Sequence, residues 1–250
     1  FLRESEILQL LPFDDTVSPQ GGSTLTYSYM QKVLPSTASF RKLNEEYSHS
    51  AATMVKKSAD LKIFGGEFDI DRVLKQAEGM FNNMAWQMEE KIRAAVSLFH
   101  YTLINGNSTS NDKEFDGLDK MLAGTASEFG AGSSIDLSNI TKLKANADEF
   151  YEALTRLIRD TEADALLMNR DTITKVQTVA RILGYKTESE DAFGKKVTSM
   201  DGVRLMDLKN HYTVSGSAAV ANAVVKKGLS RTIGSDSSAT SGLTDIYAVK

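Results

Sequence analysis

The feature that most constrains this chain is a stripe of apolar residues that runs from residue 69 to residue 104. The stripe advances in steps of three and four residues, which is the spacing of one face of an amphipathic helix. A helix of ~35 residues spans about 50 Å and is about three times the usual globular length. The stripe keeps no strict heptad, which argues against a coiled coil. The sequence therefore predicts one spine-like helix, capped by Asp69 or Asp71 and ended by Asn105 and Gly106.

A polar stretch with strand character precedes this helix, from residue 23 to residue 66. Apolar and polar residues alternate over 25–29 and again over 60–63, which is typical of two strands. Between them the stretch 41–60 is polar, so we expect a long hairpin with few core residues. An isolated hairpin is marginal in water, and this one needs the surface of a neighbour.

The first 22 residues have the character of an arm. An apolar cluster from Ile7 to Leu11 ends at Pro12, and Asp, Ser, Pro and Gly residues follow over 14–22. So few apolar residues cannot form a core, and we expect the arm to dock on another surface.

The second half of the chain alternates helix and strand signals after a loop-rich stretch over 105–135. A helical face predicts a helix over 138–159 that is capped by Ser138. A short buried strand over 165–168 follows, and it leads into a helix that stops at Gly184.

Three local signals refine this half. Either Asn169 or Asp171 caps the helix that precedes Gly184. The pair Asp201-Gly202 lies between two strand-like runs and predicts a tight hairpin turn. The last residues, 245–250, have strand character.

Composition excludes several classes of chemistry. The chain has 250 residues, a net charge of −4, no cysteine and three scattered histidines. It therefore has no disulfide, no thiolate chemistry and no cysteine zinc site. It carries no GxxxxGK[ST], GxGxxG, GxSxG or HExxH motif. Gly65 to Phe68 is similar to the GGEEF-like signature of cyclic-dinucleotide synthases, although a turn between hairpin and helix is the favoured interpretation.

Six segments follow one another in an order that resembles a known family. "LKIFGGEFDIDRVL" leads into the long helix, which ends in "LINGN" and is followed by "EFDGLDKML". Then come "ALLMNRDTITKVQTVARILG", "FGKKVTSMDGVRLMDL" and "TDIYAVK". Together they resemble the tailed-phage major capsid protein family, which has the Hong Kong ninety-seven type of fold.

The resemblance implies an α+β fold with four parts, and residues beyond Lys250 would return to its sheet. These parts are an N-terminal arm (1–22), an extended β-hairpin loop (23–66), a peripheral domain (67–159, with spine helix 69–104) and a mixed α/β axial domain (160–250).

The resemblance also implies a structural role rather than an enzymatic one. Copies of the chain would assemble into hexamers and pentamers of an icosahedral phage or prophage shell, built in the bacterial host cytoplasm and found in the virion. The shell would enclose DNA without sequence-specific binding, aided by scaffold, portal or decoration proteins, with no membrane. We expect no catalytic residue, cofactor or metal. The candidate inter-subunit contacts are Tyr29, Arg41, Glu45, Glu46, Lys56, Lys57 and Trp86.

Two other functions remain open from the sequence. An encapsulin-like nanocompartment would use the same fold to enclose enzyme cargo. A soluble α/β enzyme could use the strand-helix unit at 165–184 as its scaffold, but it would need a cleft with convergent polar groups.

Overall fold

A computed structural model describes residues 5, 7–13, 24–67, 69, 83–125, 127–128, 134–185, 188–190, 196–232 and 238–250. Its contacts divide the chain into a small unit, residues 11–64, and a large unit, residues 1–10 with 65–250. Helices and several sheets coexist, so the predicted α+β class is confirmed at this level. Most of the arm, residues 70–82 of the predicted long helix and the alternative cap Asp71 lie outside the described residues.

The small unit is an antiparallel hairpin of β1 (Thr26–Leu34) and β2 (Thr53–Asp60). Thr26 pairs with Asp60 and Leu34 with Thr53, which confirms the predicted pair of strands. The second strand was predicted around residues 60–63, and this was wrong. Neither face of the hairpin is covered, so apolar alternation does not set the strand bounds here; backbone pairing does.

The large unit begins with a short helix, α1 (Ile7–Leu10), and continues with α2 (Asn83–Asn105). Helix α2 ends at the predicted residue. A Cβ on Gly106 would lie 2.3 Å from the Phe115 carbonyl oxygen, and one on Gly117 would lie 2.5 Å from that of Ile104. Glycine is therefore required at both positions for the following loop to close against the helix end. A short helix, α3 (Leu118–Leu122), follows this loop.

The helix predicted over 138–159 is in fact two helices, α4 (Ile140–Ala145) and α5 (Ala147–Thr161), that meet at Asn146. The Asn146 side chain donates to the Asp136 carbonyl at 3.0 Å, and this competition with helical bonding explains the break. The predicted cap Ser138 is also wrong. Asn139 caps α4, because its side-chain oxygen accepts from the Lys142 amide.

A five-stranded sheet forms the centre of the large unit. Its strands are β3 (Ala165–Leu167), β4 (Glu188–Glu190), β5 (Lys196–Met200), β6 (Val203–Met206) and β11 (Tyr247–Val249). Their order in the sheet is β11-β3-β6-β5-β4. Strand β3 runs parallel to β6 and antiparallel to β11. Positive φ angles at Asp201 (49°) and Gly202 (84°) confirm the predicted turn between β5 and β6.

Two further hairpins leave this sheet between β6 and β11. One joins β7 (Asn210–Ser215) to β8 (Ala218–Ala223), and the other joins β9 (Lys227–Thr232) to β10 (Ala239–Thr244). Each forms a separate two-stranded sheet. Val224 and Val225, in the segment between the two hairpins, are buried.

The core lies on both faces of β3. Leu166 packs in a cluster with the inner faces of α4, α5 and α6 (Arg170–Leu183). Ala165 and Leu167 pack in a second cluster with Ile7 of α1 and residues of α2 and α3. This split follows from the alternation of side chains along a strand. The large unit therefore has an interior of its own.

Two asparagines at helix ends hold the buried segment between the hairpins. Asn105, the last residue of α2, donates to the Val224 carbonyl at 2.7 Å. Asn169 donates to the Val225 carbonyl at 3.0 Å and caps α6 by accepting from the Asp171 amide. The sequence had left Asn169 and Asp171 as alternative caps, and the structure selects Asn169.

We predict that Asn169→Ala lowers the free energy of unfolding by about 2–3 kcal/mol, because it removes a helix cap and leaves a buried carbonyl without its donor. Urea denaturation measures the loss. Asn139→Ala is the matched control, since Asn139 is an exposed cap with no buried partner, and it should cost about 1 kcal/mol. Equal losses in the two variants would contradict the role of the Val225 contact.

Candidate assembly surfaces

Six of the seven predicted contact residues lie on the hairpin unit, and all six are exposed. Tyr29 faces Lys57 across the two strands, and its ring stacks with Tyr27 at a centroid distance of 6.3 Å. Lys56 pairs with Met30 one position along, so the two lysines point to opposite faces of the hairpin. Neither face of the hairpin is purely apolar or purely charged.

The hairpin has no interior. Every residue from 24 to 64 is exposed, including large apolar side chains. Phe40 is 107% exposed, Ile63 100% and Leu43 90%. Side chains of this kind gain about 1.5–3 kcal/mol each when they are buried. The free energy that the small unit can gain by burial is therefore almost wholly unused in the single chain.

The tip of the hairpin is nevertheless ordered by polar contacts beyond the strand ladder. Thr37 bonds to Ser50 through its amide and its hydroxyl, at 2.9 and 3.0 Å. The Arg41 guanidinium donates to the Glu45 carbonyl at 3.0 Å and lies 5.0 Å from the centroid of the Tyr47 ring. The structure thus brings together two predicted contact residues, Arg41 and Glu45, and adds Tyr47, which the sequence analysis missed. An aromatic residue within a polar loop was the available signal.

The seventh predicted contact residue, Trp86, lies in the first half of α2 and is 43% exposed. Met84 and Met88, which share one side of the helix, are 40% and 48% exposed. Burial of the predicted stripe sets in only towards the C-terminal end, where Val96 and Ile104 are 6% and 1% exposed. The described first half of α2 is thus a second surface with exposed large apolar groups.

A half-buried ionic cluster joins three segments of the large unit. Arg231 on β9 pairs with Asp119 on α3 and with Asp245, which is 3.1 Å away. The Tyr247 hydroxyl lies 3.4 Å from both carboxylates. Burial raises the pKa of Asp245, although the Arg231 charge opposes that shift. The sequence analysis missed this cluster, because more than a hundred residues separate Arg231 from Asp119.

An open groove of about 580 Å³ runs along α5. Tyr151 and Tyr185 stack at its wall, with ring centroids 4.7 Å apart and planes at 6°. The Tyr151 hydroxyl donates to Asp201 at 3.1 Å, and burial, with the Asp201 charge, raises the pKa of Tyr151 to about 12. The residues that line the groove include no serine, cysteine or histidine, so it offers no nucleophile-base pair of the usual kinds.

Ser5 and His100 form a hydrogen-bonded serine-histidine pair, with the Ser5 hydroxyl 2.5 Å from Nε2. They are 2% and 7% exposed, so the pair is not open to a substrate. Within the described ranges, no group of three or more His, Cys, Asp or Glu side chains could hold a metal ion. Asp69, one of the two predicted caps of the long helix, is exposed.

No family model, curated protein or solved structure matches this chain. Among the described helices, none is long and apolar enough to cross a bilayer. What the chain does is therefore proposed from its own residues.

We predict that Arg231→Ala lowers the free energy of unfolding by about 2 kcal/mol at pH 7, because it leaves two half-buried carboxylates without their cation. The loss of unfolding free energy caused by the substitution should shrink as the pH falls towards 4, since burial raises the pKa of Asp245 and protonation neutralises that carboxylate in the variant. Chemical denaturation at a series of pH values measures both effects. Arg156→Ala, which breaks only the exposed pair with Glu152, is the control and should cost less than about 0.5 kcal/mol. A loss for Arg231→Ala that does not vary with pH would contradict this account.

Proposed function

We propose that this chain is a shell-forming subunit, the major capsid protein of a tailed phage or prophage with the Hong Kong ninety-seven type of fold. The observation that carries the proposal is the hairpin unit, residues 24–64, which has no buried residue and a high density of exposed large apolar side chains. The order of sequence motifs that resembles the capsid family supports the same function.

The hairpin supports assembly because a two-stranded sheet of this kind is marginal by itself. Soluble monomers rarely display large apolar surfaces, and those that they do display mark interaction sites. The partner proposed here is another copy of the chain. An interface between unlike surfaces of identical copies makes a ring when its rotation closes. Such rings would be the hexamers and pentamers of the shell.

The proposed contact places the segment from Thr37 to Lys57 of one copy across the spine helix or sheet of the next. The exposed first half of α2, with Met84, Trp86 and Met88, offers apolar surface for side chains such as Phe40. Each contact can be weak, because a closed shell repeats it many times.

The large unit would supply the wall of the shell. Helix α2 would be the spine of the peripheral domain, and the five-stranded sheet with its two hairpins would belong to the axial domain. Helix α5 shares a core with β3 and β6, so the boundary placed at residue 159 from the sequence stays a prediction. This wall would enclose DNA without binding it in a sequence-specific way.

We predict that deletion of residues 45–53 leaves a folded chain but abolishes closed shells. No residue in that range is buried, so circular dichroism and the thermal midpoint of the large unit should stay unchanged. Negative-stain microscopy and light scattering measure assembly. Shells of normal size would refute the docking role of the hairpin. Particles from the unmodified chain that contain enzyme cargo and no DNA would favour an encapsulin-like compartment instead.

We predict that Phe40→Ser raises the concentration needed for assembly at least tenfold, because burial of a phenylalanine contributes about 2 kcal/mol per contact. The stability of the single chain should not change, since Phe40 is fully exposed. Sedimentation across a concentration series measures the threshold. Ile140→Ser is the matched control, an exposed apolar residue of α4 on the large unit, and it should leave the threshold unchanged. Equal thresholds for the Phe40 and Ile140 variants would contradict the proposed contact.

A further inference from the structure

Ser5 and His100 fasten the N-terminal segment to α2. The Ser5 hydroxyl oxygen lies 2.5 Å from Nε2 of His100 and also accepts from the Leu8 amide at 3.3 Å. The same oxygen therefore caps α1 and ties α1 to the long helix. Ile7 and Leu8 are 3% and 1% exposed, and Ile7 belongs to the core cluster of α2 and β3. Loss of the contact would loosen a segment that closes one side of the core.

The hydrogen bonds of His100 define its protonation state. The ring also bonds to the backbone of Leu208, and this bond favours the protonated ring, so the acceptor is the carbonyl. With one ring nitrogen donating to Leu208, Nε2 of the neutral ring is left as an acceptor for the Ser5 hydroxyl. The neutral imidazole therefore satisfies both partners.

Protonation of His100 would disturb this arrangement in two ways. Nε2 would become a donor, and the Ser5 hydroxyl proton would lose its acceptor inside the core. The new charge would also be buried and would lie near the Lys209 ammonium. Burial lowers the pKa of His100, the Leu208 bond opposes this shift, and Lys209 adds to it.

Other ionisable groups lie around this part of α2. His211 on β7 is bonded to Ser97 at 3.0 Å, and its ring is tilted against that of Tyr101 at a centroid distance of 5.2 Å. The Tyr101 ring lies 6.0 Å from the Lys226 ammonium. Burial lowers the pKa of His211 as well. Asp207 accepts from the Lys209 amide at 2.9 Å. Glu4 and Glu6 flank Ser5 in the sequence and lie outside the described residues. A direct titration of His100 includes any effect that they have on its pKa.

We propose that the Ser5–His100 contact is an acid-released latch: neutral His100 holds α1 on α2, and protonation of His100 frees the N-terminal segment. The latch is formed within a single chain, so this proposal does not depend on whether the chain assembles into shells. It adds a means of regulation to a segment that the sequence had identified only as a docking arm.

The direction of the pH effect follows from the lowered pKa. The contribution of the closed latch is complete above pH 6.5, the ordinary pKa of histidine, and is lost as the pH falls towards the pKa of the closed state. Between these two values the open state binds a proton that the closed state does not. The opening equilibrium therefore rises by about tenfold for each pH unit.

Hydrogen exchange of the full chain, followed by mass spectrometry of peptides over residues 7–13, tests the latch between pH 7.5 and 5. Pulse lengths are corrected for the intrinsic pH dependence of exchange, and NMR of the His100 ring reports its titration in the same range. We expect protection of α1 to fall by about tenfold per pH unit below pH 6.5, until the His100 ring of the closed state itself becomes protonated. Peptides from β3 should keep their protection.

Three variants make the test specific. His100→Gln keeps a donor and an acceptor but does not titrate, so protection of α1 should no longer depend on pH. His211→Gln is the matched control and should keep the acid release. In Ser5→Ala the amides of α1 should exchange rapidly at both pH 7.5 and pH 5. This variant replaces His100→Gln as the test if the His100 variant does not fold. Protection of α1 in the unmodified chain that stays unchanged between pH 7.5 and 5 would overturn the latch.

Discussion

The structure depends on an imbalance in hydrophobic burial between two parts of one chain. The large unit covers both faces of β3 and encloses two apolar clusters. The hairpin unit pairs its strands over 26–60 and buries none of its side chains. Backbone pairing fixes the shape of the hairpin, but the free energy of apolar burial is left for a partner. The proposed assembly is the consequence of that difference.

The large unit is held by a few polar contacts at the points where its apolar layers end. Asn105 and Asn169 fix the buried turn between two hairpins, and Arg231 joins α3, β9 and the end of the sheet. Ser5 and His100 close the side where α1 lies. Each contact satisfies a group that burial would otherwise penalise. These contacts make the large unit rigid, and the proposed Ser5–His100 latch is one place where that rigidity could be relaxed.

The sequence predicted those elements whose signals are local. The turn at Asp201-Gly202, the stop at Gly184 and the end of the long helix at Asn105 all follow from backbone preferences of single residues. The division of the helix at Asn146 was not predicted, because the apolar face continues across it from Leu143 to Phe150, and the Asp136 contact is visible only in three dimensions. The second hairpin strand was misplaced because alternation is informative only where one face is buried.

The candidate surfaces also include features that local sequence signals predict and features that they do not. Exposure of Tyr29, Lys56 and Lys57 follows from a polar hairpin that can be recognised from the sequence. The Arg41–Tyr47 contact and the Ser5–His100 pair depend on where distant backbone segments meet, and no local pattern encodes that. Burial of Ser5 in particular could not be inferred from a short arm that precedes many turn-forming residues.

Isotope-mixed cross-linking tests the central claim most directly. Chains labelled with ¹⁴N and ¹⁵N are mixed before assembly, treated with a short amine-reactive cross-linker, and the peptides that contain Lys56 or Lys57 are analysed by mass. If the hairpin buries its apolar side chains on copies of the chain, these lysines will form links in which the two peptides carry different isotopes. Links from Lys56 and Lys57 that always join peptides of the same isotope would show that the hairpin contacts only its own chain.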